Sequence, residues 1–336
     1  MSAASAFRAG IARLNRAPLV VAAMVAVTLL VALPLSLALR DMIETHLGSS
    51  LMAEAVAADT SYDWWQEFSA QATGLGTTFV PSIIGFGAVL DNVSGLADNV
   101  PLASTIVGVT AAWLVIWSFL SGGVLDRLAR DRKTRAHGFF AACGVHFWRF
   151  IRLGAFAFAF YYVLFTYVHG WFLTDLYSSL VFDTTVERTA FLVRLSLYLG
   201  FGAVLACGNL VLDYARIRIV VEDRRSAAGA LLAGARFVRR RPGGTIGLYL
   251  LNAAAFALLL FVYAITVPGA PGAGAAAWIV LAVGQLYIVA RHYFKLVFYA
   301  SQIAYFQGAL AHAAFTGPAS AVWPDSPAAD AIATVR

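Results

Sequence analysis

Three uncharged polar side chains, Asn209, Asn252 and Gln285, fall inside long stretches of this sequence that carry no Asp, Glu, Lys or Arg. In a hydrocarbon solvent such groups have two uses: they hydrogen-bond one helix to another, or they line the path of a polar substrate. The residues alone leave both open. A second chemistry belongs to arginines. Arg149 and Arg152 on one segment, and Arg239, Arg240 and Arg241 on another, can donate to the phosphate oxygens of lipid headgroups, at about 1 kcal/mol per residue beside an anionic surface. Catalytic patterns are missing. There is no HExxH, GxSxG or Walker A run, and the 6 histidines are scattered without metal-ligand spacing. Asp91, Asn92, Ser94, Asp98 and Asn99 could offer oxygen ligands, but not at the spacing of a calcium loop. The expectation is a non-enzymatic protein with no catalytic residue, no cofactor and no metal.

The elements that must position these groups are apolar helices. Of the residues 60% are hydrophobic and 12% charged, about half the charge of a soluble domain. Charge-free stretches at 17–39, 99–125, 153–174, 195–212 and 242–290 are each long enough for a membrane crossing, which takes about 20 apolar residues. The last holds VPGAPGAGA (Val267 to Ala275), a turn signal that splits it in two. Six spans follow, at about 17–39, 102–124, 153–173, 190–212, 245–267 and 275–296, and the sixth is expected to run on as an aromatic helix to about Phe315. The fold class is therefore all-α: a polytopic integral membrane protein, one six-span domain over 1–316, with a disordered tail at 317–336.

Charge orients it. All but three of the 24 Lys and Arg lie before span 1, in the segments 125–152 and 213–243, or after span 5; the exceptions are Arg40, Arg188 and Arg194. The positive-inside rule places those segments and both termini in the cytoplasm. It also explains the formal net charge of +6 without a nucleic-acid partner. The first apolar run is too long for a signal h-region and lacks a small-residue cleavage site, so it is expected to be retained. Two cysteines near the inner side predict reduced thiols. The opposite segment, 40–100, is acidic and partly helical. Within it FVPSIIGFGAVL (Phe79 to Leu90) is too short to cross; it is expected as an interfacial or re-entrant helix with Pro81 in its first turn. SYDWWQEF (Ser61 to Phe68) predicts a second helix, either an aromatic belt or a lid over an outward cavity.

Two basic stretches look like helices at the inner surface. Residues 134–153 start at a Thr134 cap and gather Phe139, Phe140, Cys143, Phe147, Phe150 and Ile151 on one arc, opposite Arg149 and Arg152. Such a helix either lies among anionic headgroups or forms an elbow that anchors span 3. Residues 226–241 start at a Ser226 cap, stop at Pro242, and present Ala228, Ala230, Ala233 and Gly234 for close packing. These segments also suggest a repeat. VLDRLAR (Val124 to Arg130) matches VLDYARIR (Val211 to Arg218), GVHFWRF (Gly144 to Phe150) matches GARFVRR (Gly234 to Arg240), and VARHYFK (Val289 to Lys295) is a weaker third copy. The unit would be a two-span hairpin followed by a basic helix, used three times.

LDYARIRIVVEDRRSA (Leu212 to Ala227), with the Ala-rich basic helix after it, resembles a loose group of uncharacterised bacterial polytopic membrane proteins. It is also similar to the membrane domain attached to some glycerophosphodiester phosphodiesterases. The likeness covers about 120–320 and includes no counterpart of their catalytic domain. It implies a bacterial inner-membrane protein and no activity. The expected partners are the bilayer itself, anionic headgroups on the cytoplasmic side, and a membrane-protein partner or second copy. The functional expectation is a lipid-interacting protein or partner subunit; the alternative is a transporter or permease with its path between the helix hairpins.

Overall fold

Proline and serine set the first boundaries. In the computed structural model, which describes residues 1–58, 61–80, 85–101, 104–267 and 275–311, Ser2 caps α1 (Ala3–Asn15) by accepting from Ser5 N. Pro18 then opens α2 (Pro18–Leu47) at a position that needs no amide hydrogen. Beyond α2 come α3 (Ala53–Ala58), α4 (Tyr62–Gln71) and α5 (Gly85–Ala97), then α6 (Ser104–Arg130) and α7 (Ala136–Val163). Helix α7 runs on through π-helical turns at Leu164–Val168 and Trp171–Leu176 into α8 (Tyr177–Val181). The chain continues with α9 (Glu187–Val221), α10 (Ala227–Arg240), α11 (Pro242–Thr266) and α12 (Ala275–Ala311). Among the described residues there is no strand, and six helices are long and apolar enough to cross a membrane. The turn expected at Val267 to Ala275 and the tail at 317–336 lie largely outside the described residues.

Burial is concentrated at one end of the bundle. Leu14, Leu125, Leu128, Tyr214, Ile217, Leu296, Ile303 and Phe306 form a fully buried core there, where α1, α10 and the ends of α6, α9 and α12 meet. The spans themselves remain open. None of the most apolar window of α12 is buried, and Trp278, Leu286, Leu250 and Phe261 stand exposed. So much exposed apolar surface fits helices solvated by lipid. The core end also carries the arginine-rich turns and both α1 and the last turns of α12; it is called the basic end below.

The basic end is built from one unit used three times, but not the unit that the sequence suggests. Each copy is a span, an antiparallel helical segment lying on its end, and a second span, the segment and second span being one continuous helix in α7. Two copies are α6 with α7, and α9 with α10 and α11. The third crosses the chain: α12 is its first span, α1 its short helix and α2 its second span. Ser2, Ala3, Ala4, Ala6, Ala9, Gly10, Arg16 and Pro18 recur at one constant offset as Ser226, Ala227, Ala228, Ala230, Ala233, Gly234, Arg240 and Pro242. The backbone repeats as well. Ser226 caps α10 by accepting from Gly229 N, as expected. Ala17 and Arg241, before the two prolines, have φ/ψ of −132°/50° and −135°/51°. VARHYFK lies in the middle of α12 and is no third copy of the turn.

The register also differs from the sequence matches. Asp131 and Asp223 end α6 and α9 in the left-handed region, both with φ 49°. Counting back from them puts Gly123 level with Ala215, so Asp126 is level with Arg218 and not with Asp213. On the short helices it is Cys143, and not Gly144, that stands where Gly234 stands. A Cβ on Gly123 would meet Cys143 Sγ at 2.6 Å, whereas one on Gly144 would meet nothing within 4 Å.

The basic stretches are therefore halves of helix hairpins and not separate surface helices. Helix α7 starts at Ala136 with Arg135 as its N-cap residue, and Thr134 makes no cap. It runs into its span without an elbow. Cys143, His146 and Phe150 are buried, and Phe119 of α6 packs on Phe140 and Phe147. The apolar arc faces α6, because a neighbouring helix covers it better than headgroups would.

At the far end, α4 folds back on α2. Ser61 caps it, and Trp64 and Phe68 bury against His46 and Phe79, with Trp64 Nε1 donating to His46 Nδ1 at 3.2 Å. It packs on the last turns of α2. The short helix expected at 79–90 forms as α5, later in the chain, and Pro81 lies outside the described residues. Helix α5 starts beside Val267 and Tyr263 at the far end of α11. At its other end His169 Nε2 donates to Ala97 O at 2.7 Å, Asn99 Nδ2 to Phe165 O at 3.1 Å and Tyr198 OH to Asp98 Oδ1 at 2.6 Å. Tyr198 lies about 16 Å along α9 from its start, so this end of α5 is tied to the first turns of α9. The phenol hydrogen bond holds the Asp98 carboxyl below the usual carboxylate range.

Candidate functional site

Helical spacing assembles a cavity of mixed chemistry. Asn209, Asp213 and Arg216 share one face of α9, and Arg291, Lys295, Phe298 and Tyr299 share one face of α12. Tyr249, Ala253, Phe256, Ala257 and Leu260 form the α11 wall. Together they enclose about 470 Å³ between the three helices, just beyond the buried core of the basic end.

The polar groups are held from several sides. Arg216 Nη1 donates to Asp213 Oδ1 at 3.1 Å and to Tyr299 OH at 3.2 Å. Gln302 Nε2 donates to the other oxygen of Asp213 at 3.3 Å. Tyr161 of α7 donates to Asn209 Oδ1 at 2.6 Å. Both of these Arg216 bonds leave from Nη1, so the Nε and Nη2 hydrogens remain for another acceptor. Lys295 Nζ sits 3.9 Å above the Trp117 ring, a cation–π contact, and among the described residues no carboxylate is in ion-pair range. Three cations thus face the cavity against one carboxylate, beside Phe256, Leu260, Phe294 and Phe298. An anion attached to an apolar chain matches this lining.

A second cavity of about 580 Å³ lies further along the same groove, between α5, α11 and α12. Gln285 lines it, with Asn92 of α5, Gly284 and the stacked rings of Tyr263 and Tyr287, whose centroids are 4.1 Å apart. Phe256, Leu260 and Arg291 line both cavities.

The sequence-derived candidates therefore separate. Asn209 and Gln285 border cavities. Asn252 does not: it is buried, and its Nδ2 donates to Ser301 Oγ at 3.0 Å and to Leu248 O at 2.9 Å, tying α11 to α12. Among the arginines, Arg149 is spent on Asp223 in the turn before α10, and Arg241 reaches Ala309 O at 3.5 Å. Arg152, Arg239 and Arg240 are exposed at the basic end. Of the oxygen-bearing outer residues, Asp98 and Asn99 anchor α5, Ser94 donates to Asp98, and Asn92 to Ala88 O. Among the described residues no three His, Cys, Asp or Glu side chains converge as metal ligands. Lys295, Arg216 and Tyr299 were missed as a cluster because each lies just past the end of a charge-free stretch, where a basic or aromatic residue is ordinary. The i, i+4 pair Arg291 and Lys295 was the available signal.

The chain matches no protein-family model, no curated protein and no solved structure.

Proposed function

We propose that this is a non-enzymatic multi-pass protein of a bacterial inner membrane that binds an anionic lipid. The basic end would face the cytoplasm with both termini, as the arginine distribution directs. The observation that carries this function is the convergence of Arg216, Arg291 and Lys295 on one apolar-walled cavity, with Asp213 as the lone offsetting charge. Basic pockets between spans at the cytoplasmic side are suited to phosphate headgroups. The exposed Arg152, Arg239 and Arg240 would add a diffuse attraction to the same leaflet.

Native mass spectrometry of the delipidated full chain with phosphatidylglycerol or phosphatidylcholine tests it. The anionic lipid should bind at least tenfold more tightly, and the double substitution Arg291→Gln with Lys295→Met should abolish the difference. Equal retention of both lipids by the parent protein would refute the site. Orientation is tested by protease access to tags on the two termini in sealed inverted vesicles, where both should be cleaved. The permease alternative is favoured by one observation, the placement of Gln285 and Asn209 on two cavities that share a wall.

A further inference from the structure

We propose that the α11–α12 groove is a track along which the headgroup of an anionic lipid crosses the bilayer, with Arg291 common to its two stations. The proposal rests on the lipid-binding function above and adds movement to it. The first station is the cavity of Arg216 and Lys295; the second is the cavity of Gln285 and Asn92. Gln285 stands about 15 Å along α12 from Lys295, half of the roughly 30 Å hydrocarbon thickness. The two stations therefore span about the inner half of the crossing, and the second cavity continues past Gln285 to Leu281 and Val280. Arg291 lines both cavities, so its guanidinium can hold a phosphate at either.

The tails need no protein channel. Leu281 on α12 lines the second cavity and is half exposed, so acyl chains can stay in lipid while the headgroup moves along protein. Helix α5 supplies the polar wall at the far station and is pinned there through Asp98 and Tyr198. No covalent step and no nucleotide is involved, so movement runs down the concentration gradient in either direction.

The test uses the full chain in vesicles of phosphatidylcholine with phosphatidylglycerol and a trace of fluorescent phosphatidylglycerol in both leaflets. Dithionite bleaches the outer leaflet, which holds about half of the dye. Vesicles with protein should lose well over half of their fluorescence, and fluorescent phosphatidylcholine should move at least tenfold more slowly. Gln285→Leu, on α12, should slow movement about tenfold, a much larger change than in phosphatidylglycerol binding by mass spectrometry, because Arg216, Arg291 and Lys295 of the first station are untouched. Asn92→Leu, on α5, should do the same, so a folding defect in one variant does not decide the result. Bleaching that stops at the protein-free level, with binding intact, would overturn the track and leave the binding site standing. Loss of anionic selectivity in binding would overturn both. Unchanged rates in both leucine variants would also overturn the track.

Discussion

Gly10 and Gly234, on the first and tenth helices of the chain, make the same contact. A Cβ on Gly10 would stand 2.6 Å from the backbone nitrogen of Ser301, and one on Gly234 would stand 3.0 Å from that of Ala215. Each glycine lets a short basic helix lie backbone to backbone on the end of a span. A larger side chain there must push two helices apart, at about 1–3 kcal/mol for overpacking. Gly10→Val and Gly234→Val should each lower the thermal midpoint in detergent by several degrees, read by tryptophan fluorescence. Gly144→Val, whose Cβ meets open space, should leave it within a degree. Equal effects at all three positions would show that helix propensity, and not the seam, sets the response.

The buried Asn252–Ser301 bond predicts a different split. Interhelical hydrogen bonds in membrane proteins average about 0.6 kcal/mol, and Ser301 Oγ keeps a second partner at Phe298 O. Asn252→Ala should therefore lower the midpoint by only a few degrees and leave phosphatidylglycerol retention unchanged. Loss of lipid retention at an unchanged midpoint would instead return Asn252 to the path.

Particular residues show why some of this architecture is legible in the sequence and some is not. Spans were legible because apolar length and charge-free composition are local properties, and Ser226 was legible because capping is local too. The aromatic arc of α7 was placed correctly but matched to the wrong neighbour. Periodicity says which face is apolar and not what covers it. The partner of α12 could not be found by looking downstream, because α1 lies at the other end of the chain. The match of Ser2 to Pro18 with Ser226 to Pro242 was in plain sequence but sat outside the turns being compared. Cavity residues such as Tyr249 and Tyr299 carry no signal of their own; they matter because three distant helices converge.

The tie between α7 and the turn before α10 predicts a pH effect. The hydrogen bond from Arg149 holds the Asp223 carboxyl below the usual carboxylate range. A depressed folded pKa contributes stability above the unfolded value of about 4 and loses it as pH falls through the folded value. Asp223 is 69% exposed, so the contribution is small after screening. Asn tolerates the left-handed turn that Asp223 occupies. Asp223→Asn should therefore melt slightly lower than the parent at pH 7, and the two should converge as pH falls from 7 to below about 4. A gap that stays constant across that window would assign the loss to the turn and not to the ion pair.

The two thiols offer a direct probe of the α6–α7 seam. Cys143 has no exposed surface and sits against Gly123, while Cys207 is exposed on α9. A thiol-reactive fluorogenic maleimide should therefore label Cys207 in detergent at room temperature and leave Cys143 untouched. In the Cys207→Ser variant, labelling should begin only on heating. Because Cys143 stands at the close contact between α6 and α7, its exposure requires α7 to leave α6. Its labelling curve should then coincide with the loss of tryptophan signal, as for one cooperative core. Labelling of the variant well below that transition would mean that the α6–α7 hairpin opens on its own, and that the repeated units at the basic end do not share a single cooperative core.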